Sequence, residues 1–407
     1  MKNKVIIIGG GASGLFATIS ALNSGKEVLL LEKNEKLGKK IYITGKGRCN
    51  LTNDVDVFEF INNVCVNPKF LFSALNSLSP EKTKEFFEEN GLKLKVERGK
   101  RVFPESDKAS DVTKTLENYC KRNGATIKLN TNVEKIVVED GVICGVIANS
   151  EFVSGNSVII CTGGVSYPLT GSTGDGYKFA TDLGHNLVYP KPALVGLEIK
   201  EDFYKEVQGL SLKNVTLSCY LSDKKIYSEL GEMLFTHYGV SGPIVLTLSS
   251  LINKKNLSDI VLNLDLKPAL SDEMLENRLI REFETFNLKE LNSALYTLMP
   301  KSLVPVILKN ASVNGKKNCS TVTIEERKRL ITSIKRLKFH VKKLRPIDEA
   351  IITSGGVNVK DVNPKTMESK LVKGLFFAGE VLDVDAFTGG FNLQIAFSTG
   401  YLAGKNA

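Results

Sequence analysis

The residues best suited to chemistry lie within the first 32 positions of the chain. Gly9, Gly11 and Gly14 follow an aliphatic run, and Glu32 comes 23 positions after Gly9. Glycines at this spacing permit a tight turn, a close approach of the backbone to a pyrophosphate, and close packing of a helix on a strand. An acid about 20 residues further on binds ribose hydroxyls. These four residues, called the fingerprint below, predict a dinucleotide site rather than a purely structural turn.

A strand, a helix and a second strand must position the fingerprint. Residues 5–8 are aliphatic, which is typical of a strand buried on both faces of a parallel sheet. Helical spacing begins at Ala12 and stops near Gly25, and a second strand over residues 28–31 leads into Glu32. The free N–H groups and partial positive charge of the helix N-terminus attract phosphate groups.

Length and composition limit the class of protein. The 407 residues suffice for two or three domains, and an apolar content of 42% is ordinary for a globular protein. The N-terminal apolar run resembles a secretory signal, but cleavage there would remove the fingerprint, so we reject that interpretation. No other window has about 18 uninterrupted apolar residues, so we expect no membrane span. Seven scattered cysteines predict a reducing, cytoplasmic location.

The positive charge is concentrated between Lys301 and Arg345. This basic segment has 13 Lys or Arg and two acids, a net charge of +11, whereas the remainder of the chain carries −2. Two interpretations stay open, a solvated lysine-rich face and a surface for a polyanion such as RNA. The absence of an RNP1-like aromatic strand weakens the RNA interpretation.

A second group of small, basic and amide residues extends from Ile41 to Asn53 and includes Gly45, Gly47 and Arg48. Backbone N–H groups beside such glycines, together with Arg48, can hold a phosphate or the edge of a flavin. With the fingerprint, the run Thr-Gly-x-Gly-Arg-Cys-Asn-x-Thr-Asn resembles the bacterial three-domain BaiN-like FAD-dependent oxidoreductases, within the glutathione-reductase-type FAD superfamily. The resemblance covers essentially the whole chain.

Later motifs agree with this resemblance. A buried strand leads into Thr162-Gly163-Gly164, which resembles the superfamily's second FAD-contacting turn. The run 171–176 has no strand directly before it, so we reject a second nucleotide fingerprint there and interpret it as a helix start near the flavin. A last strand ends on Glu380, which the resemblance places at the ribityl chain, and the helix opening after Gly390 is expected to face the pyrimidine end of the isoalloxazine. A helix N-terminus stabilises the negative charge of reduced flavin there.

The resemblance implies FAD contacts from residues in all of these motifs, with the backbone of Val133 at the adenine. The implied residues are Gly9, Gly11, Ala12, Ser13, Gly14, Glu32, Lys33, Lys40, Gly47, Arg48, Cys49, Asn50, Val133, Thr162, Gly163, Gly164, Asp175, Gly379, Glu380, Gly390, Asn392, Leu393 and Gln394. With one fingerprint and no closely spaced cysteine pair, the chain is not expected to be a disulfide reductase, and NAD(P)H would be only a transient reductant.

The predicted fold is α/β, with a Rossmann-like FAD-binding domain of glutathione-reductase type, an inserted β-barrel and a small helical cap. We expect the FAD domain at 1–190 and 346–407, the barrel at 191–270 with 335–345, and the cap at 271–334. Short alternating strands after Pro190 predict the barrel. Asp140-Gly141 predicts a hairpin in the FAD domain.

Two residues are candidates for protonation of substrate. The run from Thr236 to Pro243 resembles a family signature that faces the flavin, and it contains His237. A lone histidine is more often structural, yet His237 lies beside glycines at a predicted helix N-terminus. Cys49 either supplies a proton or is a small residue packed against the flavin.

A flavin would carry the redox chemistry, while the protein orients the substrate. The resemblance implies members that oxidise small amines such as aminoacetone, reduce conjugated steroid double bonds, or make dihydrouridine in ribosomal RNA. We predict hydride transfer from flavin N5 to an electron-poor C=C bond, with uridine of ribosomal RNA as one candidate substrate. The alternatives are a small-molecule amine oxidase or enone reductase, and an RNA-binding factor in which FAD is structural. Substrate, electron donor and oligomeric state do not follow from the sequence.

Overall fold

The chain divides into two compact units. The computed structural model describes residues 3–407, so Met1 and Lys2, where the rejected signal sequence would begin, lie outside the described residues. The first unit contains the chain up to Ala193 and from Pro346 onward, and the second is Leu194–Arg345. The predicted α/β class with an inserted barrel is confirmed. The predicted domain boundaries at 190, 270 and 334 stay predictions.

The elements are numbered in chain order. Up to Ala193 they are β1 (Lys4–Ile8), α1 (Ala12–Asn23), β2 (Glu27–Leu31), α2 (Lys39–Ile43), β3 (Thr52–Asn53), α3 (Val57–Ile61), β4 (Val64–Val66), α4 (Phe72–Ser77), α5 (Pro80–Glu89), β5 (Leu94–Glu97), β6 (Arg101–Pro104), α6 (Ala109–Arg122), β7 (Thr126–Lys128), β8 (Val133–Glu139), β9 (Val142–Ala148), β10 (Glu151–Ser154), β11 (Ser157–Ile160), α7 (Asp175–Asp182) and β12 (Leu187–Ala193). The second unit contains β13 (Leu197–Ile199), β14 (Ser211–Leu221), β15 (Lys224–Thr236), β16 (Gly239–Ser241), α8 (Pro243–Ile252), β17 (Ile260–Asp265), α9 (Asp272–Thr285), α10 (Leu291–Leu295), α11 (Val304–Ala311), α12 (Ile324–Lys335) and β18 (Leu337–Leu344). The chain then adds β19 (Ile352–Val357), β20 (Leu375–Phe377), β21 (Asp385–Ala386) and α13 (Phe391–Asn406) to the first unit.

A five-stranded parallel sheet carries the fingerprint, in the order β20-β11-β1-β2-β7. Strand β1 pairs with β2 on one side and β11 on the other, and its aliphatic side chains are buried on both faces of the sheet, as the sequence predicts. The predicted hairpin is confirmed as β8 and β9, joined at Asp140 and Gly141 with φ of 48° and 76°. Positive φ at both positions is what a two-residue hairpin turn requires.

Helix α1 begins directly after the glycine turn and packs along the C-terminal helix α13. A Cβ atom added at Gly400 would lie 2.1 Å from the carbonyl oxygen of Ser13, and one added at Gly404 would lie 2.1 Å from that of Ala17. The two helix backbones therefore touch at these glycines. This contact joins the first and last segments of the chain.

The second unit contains a closed barrel in the order β13-β16-β15-β14-β17-β18. Strand β18 lies in the segment 335–345 that was predicted to belong to the barrel, and its side chains alternate, with Leu337, Phe339 and Val341 buried. Strand β15 was not predicted, because most of its residues are exposed or half-buried and its apolar alternation is weak. Helices α9 to α12 lie between β17 and β18 along the chain. Within residues 3–407, no helix combines the length and apolar character that crossing a membrane requires.

We expect Gly400→Ala to lower the free energy of unfolding by about 1–3 kcal/mol, because the added methyl group forces α13 away from α1. Urea unfolding of the apoprotein, followed by circular dichroism, measures the change. Gly11→Ala is the control, since its Cβ would meet no atom within 4 Å. Equal midpoints for Gly400→Ala and the wild type would contradict tight packing of the two helices.

His185 is a buried histidine of the first unit, with 4% of its surface exposed. Its Nε2 lies 2.7 Å from Ser369 Oγ, and this oxygen also accepts the N–H groups of Leu371 and Val372. The hydroxyl proton is therefore directed to Nε2, and Nδ1–H donates to the carbonyl oxygen of Ala180. Burial lowers the pKa of His185, so the ring is neutral in the fold.

We expect His185 to make the fold less stable as the pH falls below about 6.5, the ordinary histidine pKa. The unfolded chain binds this proton more readily than the fold does, so the stabilisation is present above that pH and is lost below it. Urea midpoints between pH 7.5 and pH 5.5 should fall less steeply for His185→Gln than for wild type. Equal slopes for His185→Gln and wild type would exclude His185 as the cause.

Candidate functional site

The glycine turn between β1 and α1 is shaped by three different contacts. Gly9 has φ of 102°, and a Cβ there would lie 2.6 Å from the carbonyl oxygen of Cys161. A Cβ at Gly14 would lie 1.8 Å from the carbonyl oxygen of Gly9, whereas one at Gly11 would meet nothing within 4 Å. Two glycines thus serve internal packing, and the third borders open space. The first N–H groups of α1 have no partner within the helix and are available beside this space.

The carboxylate of Glu32 lies at the end of β2 with 7% of the residue exposed. The N–H of Gly10 donates to its Oε2 at 2.7 Å, and the N–H of Asn34 donates to its Oε1 at 2.8 Å. The side-chain amide of Asn34 also donates to Oε1, at 2.6 Å. Because a carboxylate can accept about four hydrogen bonds, these three donors leave one acceptor position. The N–H of Thr131 binds the Glu32 carbonyl oxygen at 2.9 Å, which brings the start of β8 and Val133 to the same edge.

Glu380 lies at the centre of a second polar cluster. Lys40 Nζ lies 2.7 Å from Glu380 Oε2 and donates to Ser166 Oγ at 2.7 Å. Ser166 Oγ in turn donates to Glu380 Oε1 at 2.9 Å. The N–H of Thr353 donates to the same oxygen at 2.8 Å. The cluster fixes the Glu380 carboxylate and balances its charge.

Thr353 and Ser166 are site residues that the sequence analysis missed. The hydroxyl oxygen of Thr353 accepts the N–H groups of Val165 at 2.9 Å and Ser166 at 3.1 Å, so β19 holds the segment after β11. The signal that could have found Thr353 is a polar residue inside the otherwise apolar start of a buried strand. Its burial is complete.

The first and last motifs of the chain meet in the first unit. Gly379 has φ of 80°, and a Cβ there would lie 2.5 Å from Ser13 Oγ, on α1. A Cβ at Gly164 would lie 2.4 Å from Thr353 Oγ1, which places the turn after β11 beside Glu380. Lys33 and Asp175 form an ion pair of 2.6 Å between the segment after β2 and the start of α7.

The groups at the start of α13 are the backbone at Gly390 and the side-chain amide of Asn392. Gly390 precedes the helix with φ of 98°, and a Cβ there would lie 2.9 Å from Asn50 Oδ1. Among the described residues, this buried oxygen has no hydrogen-bond partner. The Asn392 side chain exchanges hydrogen bonds of 2.9 and 2.7 Å with the backbone of Ala386. Asn392 therefore fixes the preceding strand, and Leu393 beside it is half-buried.

The Gln394 side chain is buried inside the first unit. Its Nε2 donates to the Leu78 carbonyl oxygen at 3.1 Å and to Thr83 Oγ1 at 2.8 Å. These bonds tie α13 to α4 and α5. The expected FAD contact of Gln394 stays a prediction, and its side chain has a structural role that the sequence analysis did not foresee.

Arg48 is held by carboxylates. Its Nη2 lies 2.5 Å from Glu97 Oε1 and 2.6 Å from Asp107 Oδ1, and its guanidinium carbon lies 4.3 Å from the ring centroid of Phe103. The hydrogen bonds that Arg48 donates to Glu97 and Asp107 raise the pKa of its guanidinium. Gly47 beside it is exposed, with φ of 85°. A cofactor contact from Arg48 would have to compete with these ion pairs, and it stays a prediction.

The two candidate proton donors differ in environment. Cys49 is fully buried with φ of 60°, and burial raises the pKa of its thiol to about 12. His237 is exposed in the second unit, in the turn between β15 and β16. Its ring contacts Tyr238 at 4.9 Å between centroids, and Arg345 lies 4.6 Å from the Tyr238 ring on the same unit. Their catalytic roles stay predictions.

The first unit fits FAD at several independent points. Open space at Gly11 suits a pyrophosphate, and Glu32 keeps an acceptor for a ribose hydroxyl. Within residues 3–407, the buried oxygens Thr162 Oγ1 and Asn50 Oδ1 have no hydrogen-bond partner. Because a buried polar atom is costly without a partner, these atoms indicate that a polar ligand supplies one.

Comparison with known proteins assigns the family. The model of the HI0933-like protein Rossmann domain matches residues 3–406. The chain belongs to this family. It is 32% identical to a 3-dehydro-bile acid delta(4,6)-reductase of Clostridium scindens, over 100% of this chain and 99% of the relative. It is also 32% identical to a ribosomal RNA dihydrouridine synthase of Haemophilus influenzae, over 97% of this chain and 96% of the relative.

A solved structure shares the fold of this family member. Quinol fumarate reductase FrdA of E. coli superposes with a TM-score of 0.53 at 18% identity, over 100% of this chain and 69% of that chain. At this identity the likeness supports the fold alone. Family membership confirms the predicted class, an FAD-dependent oxidoreductase.

We expect iodoacetamide at pH 8.5 to spare Cys49 in the folded protein, because a fully buried thiol with a pKa of about 12 has almost no thiolate. Peptide mass spectrometry after labelling measures this. The partly exposed Cys144 is the internal control and should be labelled. Denaturation in urea should make both thiols reactive. Labelling of Cys49 in the folded protein at the rate of Cys144 would contradict the burial.

Proposed function

We propose that this FAD-dependent enzyme reduces a C=C bond that is conjugated to a carbonyl group. The observation that carries the proposal is the full-length similarity to two relatives whose names describe one kind of chemistry. A delta(4,6)-reductase acts on double bonds of a 3-dehydro steroid. Formation of dihydrouridine adds two hydrogens to a uracil double bond that adjoins a carbonyl. Both reactions need a hydride for the electron-poor carbon and a proton for its neighbour.

The chain supplies binding and positioning for this reaction. The turn at Gly11 and the N-terminus of α1 would hold the pyrophosphate, Glu32 a ribose, and the cluster at Glu380 the ribityl chain. The N-terminus of α13 would stabilise negative charge on the pyrimidine edge. Bound FAD would supply hydride transfer at N5. NAD(P)H is the proposed transient reductant.

His237 is the preferred proton donor in this proposal. It is exposed, whereas the Cys49 thiol is fully buried and its pKa is raised to about 12. Cys49 is then a small packed residue, the second interpretation of the sequence. The neutral thiol also carries no charge that would oppose an electron-rich flavin.

A second candidate substrate is uridine of ribosomal RNA, and one observation favours it. Several lysines of the basic segment are exposed and have no ion pair among the residues that the structure describes; these are Lys301, Lys309, Lys316, Lys328, Lys338 and Lys342. Unpaired lysines can bind phosphates without first breaking an ion pair.

We place the reaction in the cytoplasm, because all seven cysteines are free thiols.

Anaerobic reoxidation of the reduced holoprotein tests the proposal. A steroid enone, ribosomal RNA and oxygen are added separately, and flavin absorbance near 450 nm is followed. We expect reoxidation by the enone or the RNA to be faster than by oxygen. If RNA is the substrate, the rate should fall steeply with salt and in a Lys338→Ala/Lys342→Ala variant, whereas Lys317→Ala, at a paired lysine, should keep it. Fast reoxidation by oxygen alone would contradict the proposal and indicate a small-molecule oxidase. Slow reoxidation by every acceptor would favour an RNA-binding factor with structural FAD.

A further inference from the structure

The most strained aromatic residue of the first unit lies beside the Glu380 cluster. Tyr167 has φ of 51° and ψ of 60°, in the left-handed region that bulky residues rarely adopt. Pro168 follows it, and a residue before proline is normally restricted to extended conformations. Both the bulky side chain of Tyr167 and the proline after it therefore disfavour this conformation. Its persistence requires strong support from neighbouring groups.

That support is visible on both sides of Tyr167. After it, the N–H and the hydroxyl of Thr170 both donate to the Tyr167 carbonyl oxygen, each at 2.8 Å. Before it, the N–H groups of Val165 and Ser166 are both bound by Thr353 Oγ1. The backbone is held at four points around one strained residue. This arrangement fixes the direction of the Tyr167 side chain.

The ring of Tyr167 is directed to the polar cluster rather than into the apolar core. It is half-buried, and its centroid lies 5.9 Å from Nζ of Lys40, which pairs with Glu380 at 2.7 Å. The ring is not among the buried side chains that form the core of the first unit. Burial raises the pKa of Tyr167, so the phenol is neutral near pH 7. A neutral aromatic face beside a balanced ion pair suits a flat aromatic ligand.

We propose that Tyr167 is an FAD-binding residue whose ring packs against the flavin end of the cofactor, and that its strained backbone serves to present the ring. This rests on the proposed function only in placing the ribityl chain of FAD, which carries the flavin ring, at the Glu380 cluster. Tyr167 was not among the residues that the sequence analysis assigned to FAD. The ring would exclude water from one side of the flavin and fix its orientation.

Titration of FAD into the apoprotein, followed by flavin fluorescence, tests the proposal with three substitutions. Tyr167→Phe keeps the ring and should bind FAD within about threefold of wild type. Tyr167→Ala and Tyr167→Gly should each raise the dissociation constant about tenfold, as loss of one aromatic stack does, and should increase emission from the bound flavin. Tyr189→Ala, at a tyrosine that is 80% exposed, should change neither value.

Stability separates a binding role from a structural one. Glycine adopts positive φ without strain, so the apoprotein of Tyr167→Gly should melt about 1–3 °C above that of Tyr167→Ala, although both bind FAD weakly. FAD binding by Tyr167→Ala within twofold of wild type would overturn the proposal. So would a lower melting temperature for Tyr167→Gly than for Tyr167→Ala. Failure of the wild-type holoprotein to reduce any enone or RNA would refute the proposed reaction, yet it would leave these binding results interpretable.

Discussion

Direct contact between backbones at the start of α1 is the constraint on which the first unit depends. Gly14 lies against the carbonyl oxygen of Gly9, and Gly400 lies against that of Ser13, so β1, α1 and α13 meet with no side chain between them. This packing fixes where the first N–H groups of α1 point. It also joins the two ends of the chain, because α13 arrives only after the second unit has been completed. The proposed phosphate site at α1 and the proposed flavin site at the start of α13 thus depend on one contact.

The proposed cofactor site is made mostly of backbone groups, and side chains hold that backbone in place. Thr353 fixes the segment after β11, Asn392 fixes β21, and Gln394 ties α13 to the neighbouring helices. Oriented N–H groups and helix termini cost little reorganisation when a charged ligand binds. The Lys40–Glu380 pair also needs little reorganisation, because the charge of the carboxylate is already balanced by the lysine.

Backbone groups that would bind the cofactor differ from side chains that hold the backbone in how well the sequence predicts them. Strand β1, the hairpin at Asp140 and the alternation of β18 follow from local pattern, because burial there repeats with the period of the strand. Strand β15 lacks that repetition and was missed. Motif resemblance predicts which segments surround FAD, but it does not separate residues that would touch the ligand from residues that hold the segment. Gln394 and Arg48 show the difficulty, since both side chains are engaged within the protein. Thr353 was missed because its contacts with Val165, Ser166 and Glu380 are distant in sequence.

The names of two relatives of this chain include a 3-dehydro-bile acid and a ribosomal RNA as substrates. The elements that would bind FAD belong to the first unit and depend on glycines and backbone, which leave little freedom for change. The second unit carries the exposed lysines, and its barrel is closed by pairing of β13 with β18, on which Leu337, Phe339 and Val341 are buried. Outer residues such as Lys338 and Lys342 can therefore vary without disturbing the barrel core. The glycine and backbone contacts of the first unit therefore leave less freedom for change than the outer face of the barrel does.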